Sequence, residues 1–467
     1  MKVERLTDLA KWGMVGLLTA WSAVWVTMNL RDLGTHIVES FEDPAMHPLA
    51  LDYAMGVLWW VFFALCIFAF ARESRRMLLL AWSAKFFVVL VFMLLYEQQY
   101  GLDAFNYFYH AYNTTLTEED WDSLRMSVLP TFMPGMTDTG PFSRGEAGNI
   151  NFKVVTIWLA LMTGSCYHAM KVICAFLGLM GVWFFYRGAV VILGHPAPRV
   201  FYLLAFFPSI LFWSSILGKD PLQFLFIGVY AYGGALWLER GGMWPLLISA
   251  LALGANYFLR PWASFMALAA FAAAVMLGKR RGIVQVLLVL ALCVPALFLV
   301  RNRIDDIRSG LVMDWLQYTS SGFLDETVRT GGSGADISEL QSMGTTGLPM
   351  IMVSGLFRPL PFDARNPFIA MAAVENTIVL ILTIVALKRF RFAYLQDPLV
   401  LWALFYVLAW SLLYGLIVVA NFGSGARFKI QMWPFFLLLV GMLARQEGRS
   451  WLNARAAPNT SKKHRAV

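Results

Sequence analysis

Apolar residues occupy most of the chain in stretches of about 20 positions, separated by short polar segments. A stretch of that length crosses about 30 Å of hydrocarbon, and backbone in lipid must pair its own polar groups, which favours helices. The pattern therefore predicts an all-α, polytopic integral membrane protein with about 12 transmembrane helices. The predicted spans are 11–30, 53–71, 77–96, 168–193, 198–217, 221–238, 243–259, 262–278, 283–300, 367–387, 398–420 and 428–444.

The apolar stretch 152–164 is too short to span comfortably, which indicates an interfacial or re-entrant helix. The chain then divides into six segments with different characters. They are N-terminal transmembrane helices (1–97), an extracytoplasmic loop with interfacial helices (98–167), a central transmembrane bundle (168–300), an extracytoplasmic loop or lid (301–366), C-terminal transmembrane helices (367–445) and a basic cytoplasmic tail (446–467).

Charge gives the orientation of these helices. Only 14% of the residues are charged, and the net charge is +8, with Lys and Arg concentrated in the segments on one side of the predicted membrane. The positive-inside rule then predicts that both termini are cytoplasmic. The net charge is a topology signal in this interpretation, and we predict no nucleic-acid partner. The segments poor in Lys and Arg are then predicted to lie on the outer side of the membrane.

Lys219 and Asp220 interrupt the apolar pattern in the sequence FPSILFWSSILGKDPLQF. The predicted topology places both in a tight outer turn. Asp220 followed by Pro221 has the pattern of a helix N-cap and first helical residue, and Lys219 has the pattern of a lysine that extends to the interface. A functional role for this pair therefore depends on what else lies at the same membrane edge.

Other cations share that outer edge, where Lys and Arg are normally scarce. They are Arg260 in NYFLRPWAS, Arg358 in GLFRPLPF, and Arg427 and Lys429 in GSGARFKIQMWP. Each alone is explained as an interfacial anchor. Together with Lys219 they indicate a site for an anionic lipid group, because Arg binds phosphate with two hydrogen bonds and Lys adds a point charge.

A candidate base follows the third predicted span. In GLDAFNYFYHAYN, Asp103, Tyr107 and His110 are spaced to share one face of a helix. A carboxylate there would accept a proton from a hydroxyl substrate, and His110 is a second candidate for that role. Asp103 is equally explained as a helix cap before interfacial aromatic residues, and Glu42 and Asp43 in the first outer loop are rival acids.

Three charged residues fall deeper in the predicted spans, namely Lys85, Lys171 and Glu375. Ionisable side chains in a membrane normally pair with each other or line a cavity. Glu375 is therefore a candidate for orienting one of the outer cations, and a purely structural buried pair is at least as good an explanation. The sequence contains no recognisable metal-binding motif, so a requirement for a divalent metal stays open.

Several of these stretches resemble polytopic membrane glycosyltransferases of the GT-C class, which use lipid-phosphate sugars. The resemblance rests on LDAFNYFYHAYN, MTGSCYHAMKVICAFLGLMGVWFFYRG, FFPSILFWSSILGKDPLQFLFIGVYAYGG, NYFLRP, GLFRPLPFDARNPFIAMAAVEN and GSGARFKIQMWP. These pieces are spread over residues 101–434, and none is diagnostic by itself.

The resemblance implies that an outer carboxylate acts as general base or metal ligand and that outer cations hold the lipid phosphate. Asp103 would take the first role, and Lys219, Arg260, Arg358 and Arg427 the second. The class usually presents its catalytic acid in the first outer loop, whereas Asp103 follows the third span. Either an N-terminal hairpin has been added here, or the base is another residue.

The resemblance implies inverting transfer of a sugar from a polyprenyl-phosphate donor to an extracytoplasmic acceptor, which is a saccharide, a lipid or a protein, at the outer face of a bacterial inner membrane. The sequence implies no definite cofactor, and the requirement for a divalent metal stays open. The first alternative is a polysaccharide polymerase or ligase that uses a lipid diphosphate, which would need similar outer cations. The second is a transporter or flippase of lipid-linked saccharides, which would place its odd charges near the bilayer midplane.

Overall fold

The computed structural model describes residues 49–93, 96–97, 103–117, 146–277, 347–364 and 367–444. Within these ranges the secondary structure is helical, and no strand is present. The predicted spans 11–30 and 283–300, the rival acids Glu42 and Asp43, most of the 301–366 loop and the basic tail lie outside the described residues. The all-α prediction is confirmed for the part of the chain that the structure describes.

The helices follow the apolar pattern closely. They are α1 (Leu49–Phe70), α2 (Arg75–Phe87, continued by a π-helical turn Val88–Phe92), α3 (Asp103–Thr117), α4 (Glu146–Thr163), α5 (Tyr167–Leu193), α6 (Pro198–Ala205), α7 (Pro208–Trp213), α8 (Lys219–Arg240), α9 (Met243–Leu259), α10 (Pro261–Leu277), α11 (Leu348–Phe357), α12 (Pro367–Leu387), α13 (Pro398–Ala420), α14 (Phe422–Phe428) and α15 (Trp433–Ala444).

Five of the described helices are long and apolar enough to cross a membrane: Leu51–Phe70, Tyr167–Leu193, Lys219–Arg240, Pro367–Leu387 and Pro398–Gly415. A sixth crossing is possible if Phe422–Gln431 and Trp433–Leu443, which meet at a 67° bend, form one broken span. The chain thus has the helices of a multi-pass membrane protein.

Two predicted spans differ from the structure. The stretch 198–217 is not one helix: α6 ends at Ala205, α7 begins at Pro208, and residues 214–218 are non-helical. Pro208 has no N–H to continue the hydrogen-bond ladder, which explains the first break. The predicted span 428–444 is also interrupted, and Pro434 at the start of α15 has the same effect on the segment before it.

The centre of the bundle is α8, which packs most extensively against α5 and α9. Glycines allow the close approach of α5 and α8. A Cβ on Gly228 would lie 2.7 Å from the carbonyl oxygen of Gly181, and one on Gly181 would lie 2.6 Å from Cδ1 of Phe224. Such contacts between small residues are typical of membrane helices, where close packing drives association.

A separate apolar cluster joins α3 and α4 to the first turns of α5 and α8. It includes Phe105 and Phe108 of α3, Phe152 of α4, Tyr167 of α5 and Leu222 of α8, all buried. This packing holds the beginning of α3, with Asp103, above the beginning of α8, with Lys219 and Asp220. The fold therefore brings two of the predicted functional segments to the same end of the bundle.

Candidate functional site: a charged cluster around Asp220

Asp220 is the centre of a group of ion pairs at the start of α8. Its side chain is 1% exposed. The helix begins at Lys219 after Gly218, and no side chain caps its first turn, so the prediction that Asp220 caps this helix before Pro221 is wrong. The Asp220 carboxylate binds two guanidinium groups instead, through charge-assisted hydrogen bonds that are about twice as strong as bonds between neutral groups.

Arg260 and Arg427 supply those guanidinium groups from distant parts of the chain. Arg260 Nη2 donates to Asp220 Oδ1 over 2.7 Å, and Arg427 Nε donates to Asp220 Oδ2. Arg260 lies at the break between α9 and α10 and is 3% exposed, with its guanidinium 4.5 Å from the ring centre of Phe428. One buried carboxylate therefore fixes both arginines beside each other.

Arg427 also connects this buried pair to the protein surface. Its Nη1 donates to Asp103 Oδ2 over 3.1 Å. The side chain of Asp103 is 49% exposed, whereas that of Arg427 is 15% exposed. Asp103 is thus a solvent-accessible carboxylate placed against a cation whose other side is buried.

Lys219 joins the cluster through Asn149 of α4. Its Nζ donates to Asn149 Oδ1, and the hydroxyl of Tyr107 donates to the same oxygen over 2.8 Å. Tyr107 lies one turn after Asp103 on α3. We name the set Asp103, Tyr107, Asn149, Lys219, Asp220, Arg260 and Arg427 the outer cluster.

Asn149 was not found from the sequence. Helix α4 begins at Glu146, before the apolar stretch 152–164 that indicated it. Its first turn is pressed against the end of α9: a Cβ on Gly148 would lie 2.1 Å from the carbonyl oxygen of Leu259, and Asn151 Nδ2 donates to Phe258 O over 2.7 Å. These contacts join segments that are distant in sequence, so no local sequence pattern predicts them.

Tyr107 and His110 of α3 respond differently to their surroundings. Burial raises the pKa of Tyr107, Asp103 and Asp220 raise this pKa further, and Arg427 and Arg260 lower it. Its phenol therefore stays protonated and remains a hydrogen-bond donor. Burial and then the charge of Lys153 lower the pKa of His110, so His110 is neutral at pH 7.

The structure does not bring all predicted site residues together. His110 forms no hydrogen bond or ion pair with the outer cluster among the described residues. Arg358 is bound elsewhere: its Nε donates to Asp363 Oδ2 over 3.0 Å and its Nη2 to Asp363 Oδ1, while its guanidinium lies 5.2 Å from the ring centre of Phe422. Its charge is therefore already compensated.

Lys429 and Glu375 are buried and bind groups outside the outer cluster. Lys429 Nζ donates to Leu356 O over 3.0 Å, to Arg358 O over 2.6 Å and to Asn376 Oδ1 over 3.2 Å. Glu375 accepts hydrogen bonds from the backbone N–H and the hydroxyl of Ser209, at 2.8 and 2.6 Å. Glu375 thus holds the start of α7. It forms no direct ion pair with an outer cation among the described residues, although its charge interacts electrostatically with that of Lys429.

The deeper lysines also have structural partners. Lys85 Nζ donates to the carbonyl oxygen and hydroxyl of Ser214 and to the hydroxyl of Ser215, at 3.0, 2.7 and 2.9 Å. Lys171 Nζ binds both carboxylate oxygens of Glu97 at 2.9 Å, and the Tyr167 hydroxyl donates to the same carboxylate. Lys171 thus belongs to a buried ion pair, and Lys85 binds the non-helical segment before α8.

Chemically, the outer cluster combines three cations with two carboxylates, one buried and one accessible. This arrangement offers hydrogen-bond donors to an anion next to a carboxylate that is open to a second reactant. No group of three or more His, Cys, Asp or Glu side chains that would hold a metal ion is found in the part of the chain that the structure describes.

No family model matches the sequence, and no curated protein or solved structure matches it significantly. The functional argument therefore depends on the geometry of the outer cluster.

Proposed function

We propose that this protein is a membrane glycosyltransferase that moves a sugar from a polyprenyl-phosphate carrier to an extracytoplasmic acceptor. In this proposal the chain crosses a bacterial inner membrane about 12 times, keeps both termini in the cytoplasm, and carries the outer cluster at its outer face. The observation that carries the proposal is the accessible carboxylate of Asp103 beside the cations Lys219, Arg260 and Arg427.

The proposed reaction is a direct displacement at the anomeric carbon. Asp103 accepts the proton of an acceptor hydroxyl as the hydroxyl oxygen forms the new bond to that carbon. The bond between the carbon and the phosphate oxygen breaks, and its electron pair stays on the phosphate, where the cations stabilise the added negative charge. A single displacement inverts the configuration of the sugar. The products are the glycoside, polyprenyl phosphate and a protonated Asp103, which releases its proton to water.

The partners of the deeper charges support an enzyme over a transporter. A transport route through the bilayer calls for charged side chains or broken helices that face a cavity near the midplane. Glu375 and Lys85 instead hydrogen-bond to the start and the end of α7, within the broken segment α6–α7. These contacts satisfy backbone groups that the broken helices leave unpaired, which is a structural task.

Fewer cations are proposed to bind the phosphate than the sequence suggested. Arg358 is compensated by Asp363, and Lys429 is occupied by two backbone carbonyls and an amide. Lys219, Arg260 and Arg427 therefore remain as the phosphate-binding cations. Tyr107 and Asn149 keep Lys219 in position, and Asp220 keeps the two arginines in position.

Reconstitution tests this proposal. Purified protein in proteoliposomes receives a polyprenyl-phosphate sugar labelled in the sugar, and a panel of saccharide and lipid acceptors is analysed for new labelled glycoside. We expect Asp103→Asn to slow transfer by about 10²- to 10⁴-fold, the usual contribution of a general base. Folding stability should change little, because a half-exposed ion pair contributes only about 0–1 kcal/mol.

Glu73→Gln is the matched control, since it makes the same chemical change at an exposed acid in the turn between α1 and α2. It should transfer sugar at the wild-type rate. Wild-type transfer by Asp103→Asn would show that another group is the base. Movement of labelled lipid across the bilayer, with no glycoside formed, would show that the protein is a flippase and not a transferase.

A further inference from the structure

We infer that the outer cluster contains a subsite for one singly charged phosphodiester, and that the Asp103 carboxylate fills part of this subsite when the lipid is absent. This inference rests on the proposed function and names the anion that the site accepts. It also gives the binding order, because the lipid phosphate must displace Asp103 from Arg427 before Asp103 can accept a proton from the acceptor.

The first argument comes from Arg260. Its side chain is buried, and Nη2 donates to Asp220, but Nη1 has no hydrogen-bond partner within the described part of the chain. A buried charged donor left without a partner is costly and is normally found where a ligand or ion completes the site. This donor lies on the guanidinium that Asp220 holds next to Arg427, so the same anion can reach both arginines.

The second argument comes from Lys219. The hydrogen bond that the structure gives its ammonium group is to the neutral oxygen of Asn149, and no carboxylate lies within 4 Å of it among the described residues. Lys219 therefore has no direct ion pair among the described residues, and a bound anion would supply one. Asn149 is itself held by Tyr107, so Lys219 is kept in position with donors to spare.

The third argument is the charge of the outer cluster. When all five side chains are ionised, Lys219, Arg260 and Arg427 carry three positive charges and Asp103 and Asp220 carry two negative charges, which gives a formal net charge of +1. A phosphodiester such as a polyprenyl phospho-sugar brings one negative charge and balances the cluster. A lipid diphosphate sugar brings two and leaves an excess negative charge beside the exposed Asp103.

Asp103 is the member of the cluster that an incoming anion can replace. Its bond to Arg427 is 3.1 Å long and its carboxylate is half exposed, whereas Asp220 is buried and binds two arginines. Exposed ion pairs contribute little, and removing one partner of a buried pair is costly. A phosphate oxygen would thus take Arg427 Nη1 from Asp103 and leave the Asp220 contacts intact.

The test is equilibrium binding of a short-chain polyprenyl phospho-sugar to the full chain in nanodiscs, with no acceptor present. We expect Asp103→Asn to bind this lipid about two- to fivefold more tightly than wild type, because the competing carboxylate has lost its charge. Glu73→Gln should bind as wild type does. Asp103→Ala, which removes the carboxylate altogether, should tighten binding at least as much as Asp103→Asn.

The second ligand is the matching polyprenyl diphospho-sugar. Wild type should bind it more weakly than the phosphodiester, and Asp103→Asn should reduce that difference, because the net charge of the cluster rises from +1 to +2. A wild type that binds the diphosphate more tightly would overturn the assignment of a singly charged ligand. It would also favour the polymerase or ligase.

The binding experiment separates this inference from the proposed function. Unchanged or weaker binding of the phosphodiester by Asp103→Asn would overturn the displacement of Asp103, even if this variant has lost transfer activity. Tighter binding with undiminished transfer would support displacement and refute the role of Asp103 as base. If neither lipid binds to wild type, the phosphate subsite is refuted, and the proposed function with it.

Discussion

Two groups of buried charges in this protein differ in the partners that compensate for the loss of water. In the outer cluster, Asp220, Arg260 and Arg427 bind one another, and the network continues to the exposed Asp103. Elsewhere Lys85, Glu375 and Lys429 bind chiefly backbone and neutral side-chain groups where helices break. We call these three residues the backbone-bound charges. These two groups therefore have different tasks, and they differ in the partners that their charges bind.

The backbone-bound charges explain how irregular backbone is kept inside a bundle of apolar helices. Non-helical segments at membrane depth need partners for their free N–H and C=O groups. Glu375 binds the N–H of Ser209 at the start of α7, and Lys85 binds the carbonyl oxygen of Ser214 at its end. The broken segment leads directly to Lys219. The structural charges thus support the position of the outer cluster without belonging to it.

The largest effect is expected from Asp220→Asn, since Asp220 belongs to the outer cluster and is also deeply buried. This change leaves Arg260 and Arg427 without their shared carboxylate. Breaking a buried ion pair costs about 3–5 kcal/mol of folding stability, and the two cations would no longer be fixed for phosphate binding. Thermal unfolding in detergent and the transfer assay should both show severe losses.

Asp363→Asn is the matched control for Asp220→Asn. Asp363 also binds an arginine through both carboxylate oxygens, but the Arg358 side chain is 26% exposed and can be solvated. We expect a smaller loss of stability and wild-type transfer per folded molecule. Equal losses in the two variants would remove the distinction between the outer cluster and the structural ion pair.

A second prediction compares two buried lysines, Lys219 and Lys429, which are 9% and 1% exposed. Lys219→Met removes a cation from the proposed phosphate subsite, and loss of one charge-assisted hydrogen bond corresponds to about 10- to 100-fold in lipid affinity. Lys429→Met leaves two backbone carbonyls without this donor, which costs about 1–3 kcal/mol for each unpaired group.

Two measurements compare these variants: the transfer rate as the lipid-linked sugar donor is titrated, and the melting temperature. Lys219→Met should raise KM for the lipid donor with little change in melting temperature. Lys429→Met should lower the melting temperature and leave KM and kcat of the folded fraction within about twofold, since an intact site keeps its transition-state contacts. The opposite result, a raised KM for Lys429→Met and a lowered melting temperature for Lys219→Met, would show that Lys429 contacts the substrate and that Lys219 has a structural role.

The sequence predicted the helices better than it predicted their interruptions. The apolar stretches that predicted 53–71, 168–193 and 367–387 are helices with nearly those bounds, because hydrophobic length alone specifies a span. The stretch 198–217 is equally apolar but breaks before Pro208. Partners from other helices, such as Glu375 and Lys85, make that break tolerable, and a linear pattern does not contain them.

The same limit applies to the outer cluster. The sequence identified Asp103, Lys219, Arg260 and Arg427 as candidates, since charges at an apolar boundary stand out. It did not show that Asp220 binds Arg427, which lies 207 residues away in the sequence. It also did not show that Asn149 accepts hydrogen bonds from both Lys219 and Tyr107. Arg358 carries the same local signal as Arg260, and only the nearby Asp363 distinguishes it.

The smallest effect is expected from His110→Gln, which decides between the two candidate bases on α3. Burial and Lys153 lower the pKa of His110, so the imidazole is mainly neutral at pH 7 and above. If Asp103 is the base, removing His110 leaves both the rate and its pH dependence between pH 6 and 8 close to wild type. If His110 is the base, transfer falls by about 10²-fold or more, and Asp103→Asn retains a wild-type rate. The pH–rate profiles of the two variants, measured in the same proteoliposomes, therefore assign the proton acceptor to the outer cluster or to the histidine that lies outside it.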